Sequence, residues 1–185
     1  MIRIFLVLAS LDGLALCASV VLGTLSKLRG AQFNEQDQMW MYHFYCGLGS
    51  SMLNLLVHCL IFTYFLGTGR WVKEVALAYR LPDEPYPKLT RELKRRTFPP
   101  ALFGMLIAIG TVAAGAGAQL RAWHWTIHAS LAAATLIINA WAFVVEGRNV
   151  RTNAMVIEKV REQAESVRRE QGLPTSEEAL ARDGH

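Results

Sequence analysis

Residues 124–145 read HWTIHASLAAATLIINAWAFVV, an apolar stretch that begins with two histidines and contains no Asp, Glu, Lys or Arg. A helix needs roughly 20 mostly apolar residues to cross a bilayer, so this stretch is long enough to span a membrane. Three further stretches of the chain have the same character. The sequence therefore predicts an all-α fold, an integral membrane four-helix bundle. Its spans are expected at about 4–25, 40–66, 100–120 and 125–145.

Charged residues occur in two blocks of the chain. They make up 18% of the 185 residues, against about 25% in soluble domains. Most of them lie at 70–96 and 146–183, which favours a membrane protein over a soluble protein with a large core. The motifs G-x-G-x-x-G, G-x-x-x-x-G-K-[ST] and G-x-S-x-G are absent, and no basic stripe alternates with aromatic residues. We therefore expect neither soluble-enzyme chemistry of these kinds nor nucleic-acid binding, and whether the protein is an enzyme stays open.

The distribution of Lys and Arg predicts the orientation of the spans. Eight of these residues lie in the loop at 70–96 and seven follow residue 146, whereas the other two loops contain three in all. Cytoplasmic loops carry an excess of Lys and Arg, so both termini are expected on the cytoplasmic side of a plasma or inner membrane. Residues 1–25 could alternatively be a cleaved signal, although Asp12 interrupts their apolar run.

The loop after span two is predicted to contain a short cytoplasmic helix. Residues 71–79, WVKEVALAY, form an amphipathic stretch that we expect to lie along the inner membrane face. The sequence PDEPYP at 82–87 predicts a break in the chain. A second helical stretch follows up to Pro99 and Pro100, and span three is expected to begin at these prolines.

The residues after span four are predicted to form a helical tail. Residues 1–148 would then be the four-helix bundle and residues 149–185 the cytoplasmic tail. Tail residues recur at heptad spacing, one of them a polar Asn: Val150, Asn153, Ile157, Val160, Ala164 and Val167. We expect the tail to pack on the protein's own 70–98 loop. The alternative is that residues 149–171 mediate self-association or docking to other subunits of a membrane complex.

Polar residues are spaced along one helical face of span two and one of span four. In span two they are His43, Gly47, Ser50, Asn54 and His58, and in span four they are His124, His128, Thr135, Asn139 and Glu146. Both spans run in the same direction, and eleven residues separate His43 from Asn54 and His128 from Asn139. The asparagines therefore lie roughly 16 Å deeper than the histidines. Because polar residues inside a bilayer seldom face lipid, we expect both faces, together with Asp12 of span one, to point into the bundle.

The two polar faces contain a candidate site for a b-type haem near the outer membrane surface. A haem in a helical bundle takes two imidazoles from facing helices at similar depth, and His43 with either His128 or His124 meets this condition. Gly47, one turn below His43, would leave room for the macrocycle. In these histidines and this glycine the layout resembles membrane cytochromes of the b type. The resemblance implies one-electron transfer, with a quinone as a candidate partner, and His58 lacks the partner histidine that a second haem would need.

A metal site is an alternative for the same region. The stretch MWMYHFYC at 39–46 brings Met41, His43 and Cys46 close to the outer surface. His124 and His128 could join them from span four. Sulfur together with imidazole suits copper, and two histidines four residues apart also suit zinc or iron.

Two further interpretations require no cofactor. The histidines and asparagines can serve as hydrogen-bonding contacts between helices, in a structural or assembly subunit of a membrane complex. Asp12, His58 and Glu146 could instead line a proton or solute pathway. In span three the small residues Gly110, Ala114 and Ala118 recur every four residues, a spacing that predicts close helix packing.

Overall fold

The computed structural model describes residues 1–30, 36–175 and 178–179, and the regular structure in those ranges is entirely helical. Four helices follow one another: α1 (Ile2–Leu28), α2 (Gln38–Ala78), α3 (Tyr86–Gln119) and α4 (Trp125–Glu170). Each is long and apolar enough to cross a membrane. The prediction of an all-α protein with four candidate membrane-spanning helices is confirmed, as expected for a polytopic membrane protein.

Helix α2 continues well past the predicted end of span two. Residues 71–78 form its last turns, so the amphipathic stretch is not a separate loop helix. The helix ends where Arg80 adopts a left-handed conformation, with φ of 54°, and Leu81 N–H donates to Ala76 O at 2.8 Å. These are features of the Schellman motif, and they come directly before the PDEPYP break.

Helix α3 begins earlier than the predicted span three. It starts at Tyr86 and runs through Pro99 and Pro100, so the prolines do not start a new helix. Proline has no N–H, and the carbonyls of Arg95 and Arg96 therefore lose the donor that a helix normally supplies four residues later. The helix continues in spite of these two missing bonds.

The first of two compact units consists of residues 1–62 and 97–148. Its exposed side chains include the large apolar residues Val7, Leu11 and Leu14 of α1. Its buried side chains include many polar or charged ones: Asp12, Ser19, Asn54, His58, Thr135, Asn139 and Glu146. Lipid does not solvate polar groups, so apolar residues outside and polar residues inside is the arrangement that a bilayer favours.

The second compact unit consists of residues 63–96 together with those from 149 onward. In it the C-terminal part of α4 contacts the end of α2: Asn153 Nδ2–H donates to Thr68 Oγ1 at 2.9 Å, and Arg168 Nη1–H donates to Tyr79 Oη at 2.9 Å. The buried apolar side chains are Phe65, Val72, Ala76, Leu93, Val150, Val156, Val160 and Ala164. At the predicted heptad position Ile157 the side chain is only partly buried, and the neighbouring Val156 is buried in its place.

The small residues of α3 pack differently from the predicted pattern. Ala108, Ala114 and Ala118 are buried, but a Cβ atom added at Gly110 would meet nothing within 4 Å. The packed face of α3 therefore includes Ala114 and Ala118 of the predicted spacing but not Gly110. Gly104, one turn before Ala108, is buried instead.

Candidate functional site

His43 of α2 and His128 of α4 lie against each other in the first compact unit. Their ring centroids are 5.9 Å apart and their ring planes are inclined at 68°. Both residues are partly buried. We call them the histidine pair. They are two of the residues that the sequence places at equal depth in spans two and four.

A backbone carbonyl of another helix holds each ring of the histidine pair. His43 Nδ1 lies 2.9 Å from Ser19 O of α1, and His128 Nδ1 lies 2.9 Å from Thr111 O of α3. A carbonyl oxygen can only accept, so both Nδ1 atoms carry a proton and donate it. In the neutral tautomer of each ring, Nε2 then carries the lone pair that can bind a metal.

Two glycines make room for these rings. A Cβ atom at Gly23 of α1 would lie 2.8 Å from His43 Cε1, and one at Gly115 of α3 would lie 3.0 Å from His128 Cε1. Any other residue at Gly23 or Gly115 would push against an imidazole. All four helices therefore contribute to the position of the histidine pair.

Two other residues predicted to join a haem site have different contacts. Gly47 faces α1, where an added Cβ atom would lie 3.1 Å from Ser19 Oγ. His124 is exposed, and its Nδ1 lies 2.8 Å from Thr126 Oγ1 at the start of α4. Of the two histidines proposed as partner for His43, the structure brings His128 to it.

The two sulfur residues predicted for a metal site, Met41 and Cys46, do not lie in a cluster of metal-binding side chains among the residues that the structure describes. Met41 is 37% exposed, and the Cys46 thiol donates to Ala15 O at 3.6 Å. Within the described ranges, no three His, Cys, Asp or Glu side chains lie close enough together to hold a metal ion. A metal bound by protein side chains alone therefore has no preformed multi-ligand site in this part of the chain.

A second group of polar side chains is almost completely buried: Asp12 of α1, Asn54 and His58 of α2, and Asn139 and Glu146 of α4. We call it the polar cluster. Asn54 Nδ2 donates to Asp12 Oδ2 and to Asn139 Oδ1, both at 2.8 Å. His58 continues the chain of hydrogen bonds, with Nε2 at 2.8 Å from Asn139 Oδ1 and Nδ1 at 2.7 Å from Glu146 Oε1. The cluster thus links three helices through direct side-chain contacts.

The hydrogen bonds of Asn139 establish where His58 carries its protons. Asn139 Nδ2 donates to Thr135 O at 2.9 Å, so its Oδ1 accepts and His58 Nε2 must donate. A further proton lies between His58 Nδ1 and Glu146 Oε1, as imidazolium with carboxylate or as imidazole with carboxylic acid. In either form the His58–Glu146 pair has no net charge.

Helix α3 approaches the polar cluster through Gly104. A Cβ atom there would lie 2.6 Å from His58 Nε2 and 2.7 Å from Asn139 Oδ1, so only glycine fits without a shift. The ring of Phe143 stacks on His58, with centroids 5.4 Å apart and planes inclined at 23°. The backbone of α3 at Gly104 and the ring of Phe143 therefore both pack against the His58 ring.

Sequence reasoning missed the residues that hold the histidine pair in place. Ser19 and Thr111 act through backbone carbonyls, which have no signature in a sequence. The sequence does contain one indication of Gly23 and Gly115. Each lies near the C-terminal end of its helix, at the same end of the bundle as the histidine pair. That the glycines face the rings follows only from the rotation of α1 and α3.

Comparisons of the chain with protein-family models, with curated proteins and with solved structures gave no match. The function of the protein must therefore be inferred from the chemistry of the histidine pair and the polar cluster.

Proposed function

We propose that this polytopic membrane protein is an electron-transfer subunit that binds one b-type haem, whose iron His43 and His128 would hold. The observation that carries this proposal is the distance of 5.9 Å between the two ring centroids. A metal–imidazole bond is about 2 Å long and the ring centre lies about 1 Å beyond the nitrogen, so the centres of two imidazoles that bound one iron through Nε2 would lie roughly 6 Å apart. The separation of the histidine pair agrees with this value.

The hydrogen bonds of the histidine pair support the same assignment. A metal-binding histidine almost always donates its other N–H to a carboxylate, a backbone carbonyl or water, which orients the ring. His43 does so toward Ser19 O and His128 toward Thr111 O. Both rings are therefore oriented before a cofactor binds, and Nε2 is the nitrogen that each would offer to iron.

When bound, a haem supplies reversible one-electron chemistry. His43 and His128 would hold the iron, and the carbonyls of Ser19 in α1 and Thr111 in α3 fix the two rings. The excess of Lys and Arg at 70–96 and after residue 146 assigns both termini to the cytoplasmic side and the histidine pair to the outer side. A membrane quinone is then a candidate partner for the electron.

The optical spectrum of the protein purified in detergent tests this proposal. We expect a Soret band that sharpens and shifts on reduction, and we expect His43→Ala and His128→Ala each to abolish it. His124→Ala is the matched control, because it removes an exposed imidazole only four residues from His128 and should keep the full haem content. A colourless wild-type protein, made in cells supplied with haem precursor, would contradict the proposal and favour a membrane-complex subunit without a cofactor.

A further inference from the structure

The polar cluster contains one negative group more than its positive groups can balance. The His58–Glu146 pair is neutral, because one proton is shared between His58 Nδ1 and Glu146 Oε1 at 2.7 Å. Asp12 is completely buried, and its hydrogen bond comes from the neutral amide of Asn54. An ionised Asp12 would therefore leave one unbalanced negative charge inside the first compact unit, where burial of a charge is costly.

The cluster also has too few hydrogen-bond donors. Three of its buried oxygens have no hydrogen-bond partner: Asp12 Oδ1, Asn54 Oδ1 and Glu146 Oε2. All three are acceptors when the carboxyls are ionised, and a buried acceptor without a donor costs free energy. One additional proton removes the excess charge and reduces the shortage of donors, because it neutralises a carboxylate and converts one acceptor into a donor.

We propose that Asp12 is an interior proton-binding site, in which Oδ1 binds an exchangeable proton and donates it to Asn54 Oδ1. Asn54 Nδ2 already donates to Asp12 Oδ2 at 2.8 Å. The acid and the amide are then joined by two hydrogen bonds, and two of the three unpartnered oxygens are satisfied. A proton on Glu146 Oε2 would leave Asp12 Oδ1 and Asn54 Oδ1 without a donor, so Asp12 is the site that satisfies more of the unpartnered oxygens.

The groups around Asp12 come from every helix of the cluster. Helix α2 contributes Asn54 and His58, α4 contributes Asn139 and Glu146, and α3 approaches through Gly104, which has no side chain. Of these, only His58 and Glu146 titrate, and they do so as one hydrogen-bonded pair. The site therefore binds a single proton at Asp12, independently of whether a haem is present.

Infrared spectroscopy of the full-length protein at neutral pH tests the proposal. A protonated carboxyl has a carbonyl stretching band that an ionised one lacks, and this band shifts in heavy water. We expect the band in the wild-type protein, its loss in Asp12→Asn, and its retention in Glu74→Gln, a control that replaces an exposed carboxyl outside the cluster. A wild-type spectrum that is unchanged by Asp12→Asn in this region would overturn the proposal.

A stability measurement keeps the test decisive if the spectra are crowded. Asp12→Asn resembles the protonated acid, because its amide N–H can reach Asn54 Oδ1 without adding charge. It should therefore unfold at a temperature close to that of the wild type, whereas Asp12→Ala should unfold at a clearly lower one. An equal loss of unfolding temperature in both variants would overturn the proposal. It would also be overturned if sodium chloride, compared with choline chloride, raised the unfolding temperature of the wild type but not that of Asp12→Asn, because the site would then bind a sodium ion instead of a proton.

Discussion

The four histidines in the described part of the chain differ in what their ring nitrogens contact, and those contacts decide what each ring can do. His43 and His128 each use Nδ1 on a backbone carbonyl and keep Nε2 for a ligand. His58 uses both nitrogens on buried side chains, and His124 interacts with Thr126 at the exposed start of α4. One residue type therefore provides candidate ligands, an interior contact between helices and a helix-end contact.

Replacing His58 tests its role in the polar cluster. The variant His58→Ala leaves Glu146 Oε1 without its buried partner and removes one of the two hydrogen bonds that Asn139 Oδ1 accepts. Breaking a buried pair in this way costs about 3–5 kcal/mol. The measurement is the free energy of unfolding in mixed micelles of detergent and lipid. The haem spectrum should persist in folded His58→Ala, because the histidine pair is intact. His124→Ala, an exposed control, should lose no more than about 1 kcal/mol, and an equal loss in both variants would contradict the assigned role.

Helix α3 has a glycine where it comes closest to the polar cluster and another where it comes closest to the histidine pair. Gly104 faces the polar cluster and Gly115 faces His128. Eleven residues separate these glycines, the same number that separates His128 from Asn139 on α4. The close approach of α3 is therefore matched to the depths of His128 and Asn139 on α4.

A methyl group at Gly104 should disturb the polar cluster. The added Cβ atom would lie 2.6 Å from His58 Nε2, and overpacking of this kind typically costs about 1–3 kcal/mol. Thermal and denaturant unfolding of Gly104→Ala measure the cost. Gly110→Ala on the same helix is the control, because its Cβ atom meets nothing within 4 Å and alanine favours a helix by up to about 1 kcal/mol. Equal stability of the two variants would show that α3 does not approach the cluster as described.

A methyl group at Gly115 should act on the histidine pair instead. Its Cβ atom would lie 3.0 Å from His128 Cε1, so the ring must turn away from the position set by Thr111 O. We expect Gly115→Ala to lower the haem content of purified protein, while Gly110→Ala keeps it. The ratio of haem absorbance to protein measures the effect. Full occupancy in Gly115→Ala would argue against His128 as a ligand.

At the level of the whole molecule, two patterns stand out. Many polar side chains of the first unit are buried while large apolar ones are exposed, and most Lys and Arg residues lie in two segments of the sequence. The exposed apolar residues of α1 and the buried Asp12, His58 and Glu146 illustrate the first point. Lipid around the helices explains this inversion of the pattern of soluble proteins. The segments rich in Lys and Arg, 70–96 and 146–183, are expected on one side of the membrane by the positive-inside rule.

Reporter fusions test this orientation. A fluorescent protein fused after residue 185 should fluoresce in bacterial cells, because the C-terminus is expected in the cytoplasm. Alkaline phosphatase at the same point should be inactive, since that enzyme requires the periplasm. The opposite result would place the histidine pair on the inner side, although it would leave the proposed ligands of the haem unchanged.

The sequence by itself determined the helical class, the four spans and the equal depth of His43 and His128. Apolar length and helical spacing are local properties, because each turn of helix is closed by hydrogen bonds between residues four apart. The same local signals misjudged the ends of the helices. PDEPYP predicted a break correctly, but residues 71–78 continue α2 and α3 runs through Pro99.

Only the tertiary structure decided which side chains meet. The pairing of His58 with Glu146, the carbonyls of Ser19 and Thr111 on the histidine rings, and the placement of Gly104 and Gly115 depend on how each helix is rotated. That rotation follows from the fit of side chains far apart in the sequence, packed at close range. The spacing along one helix shows which residues share a face, and the packing between helices determines what that face contacts.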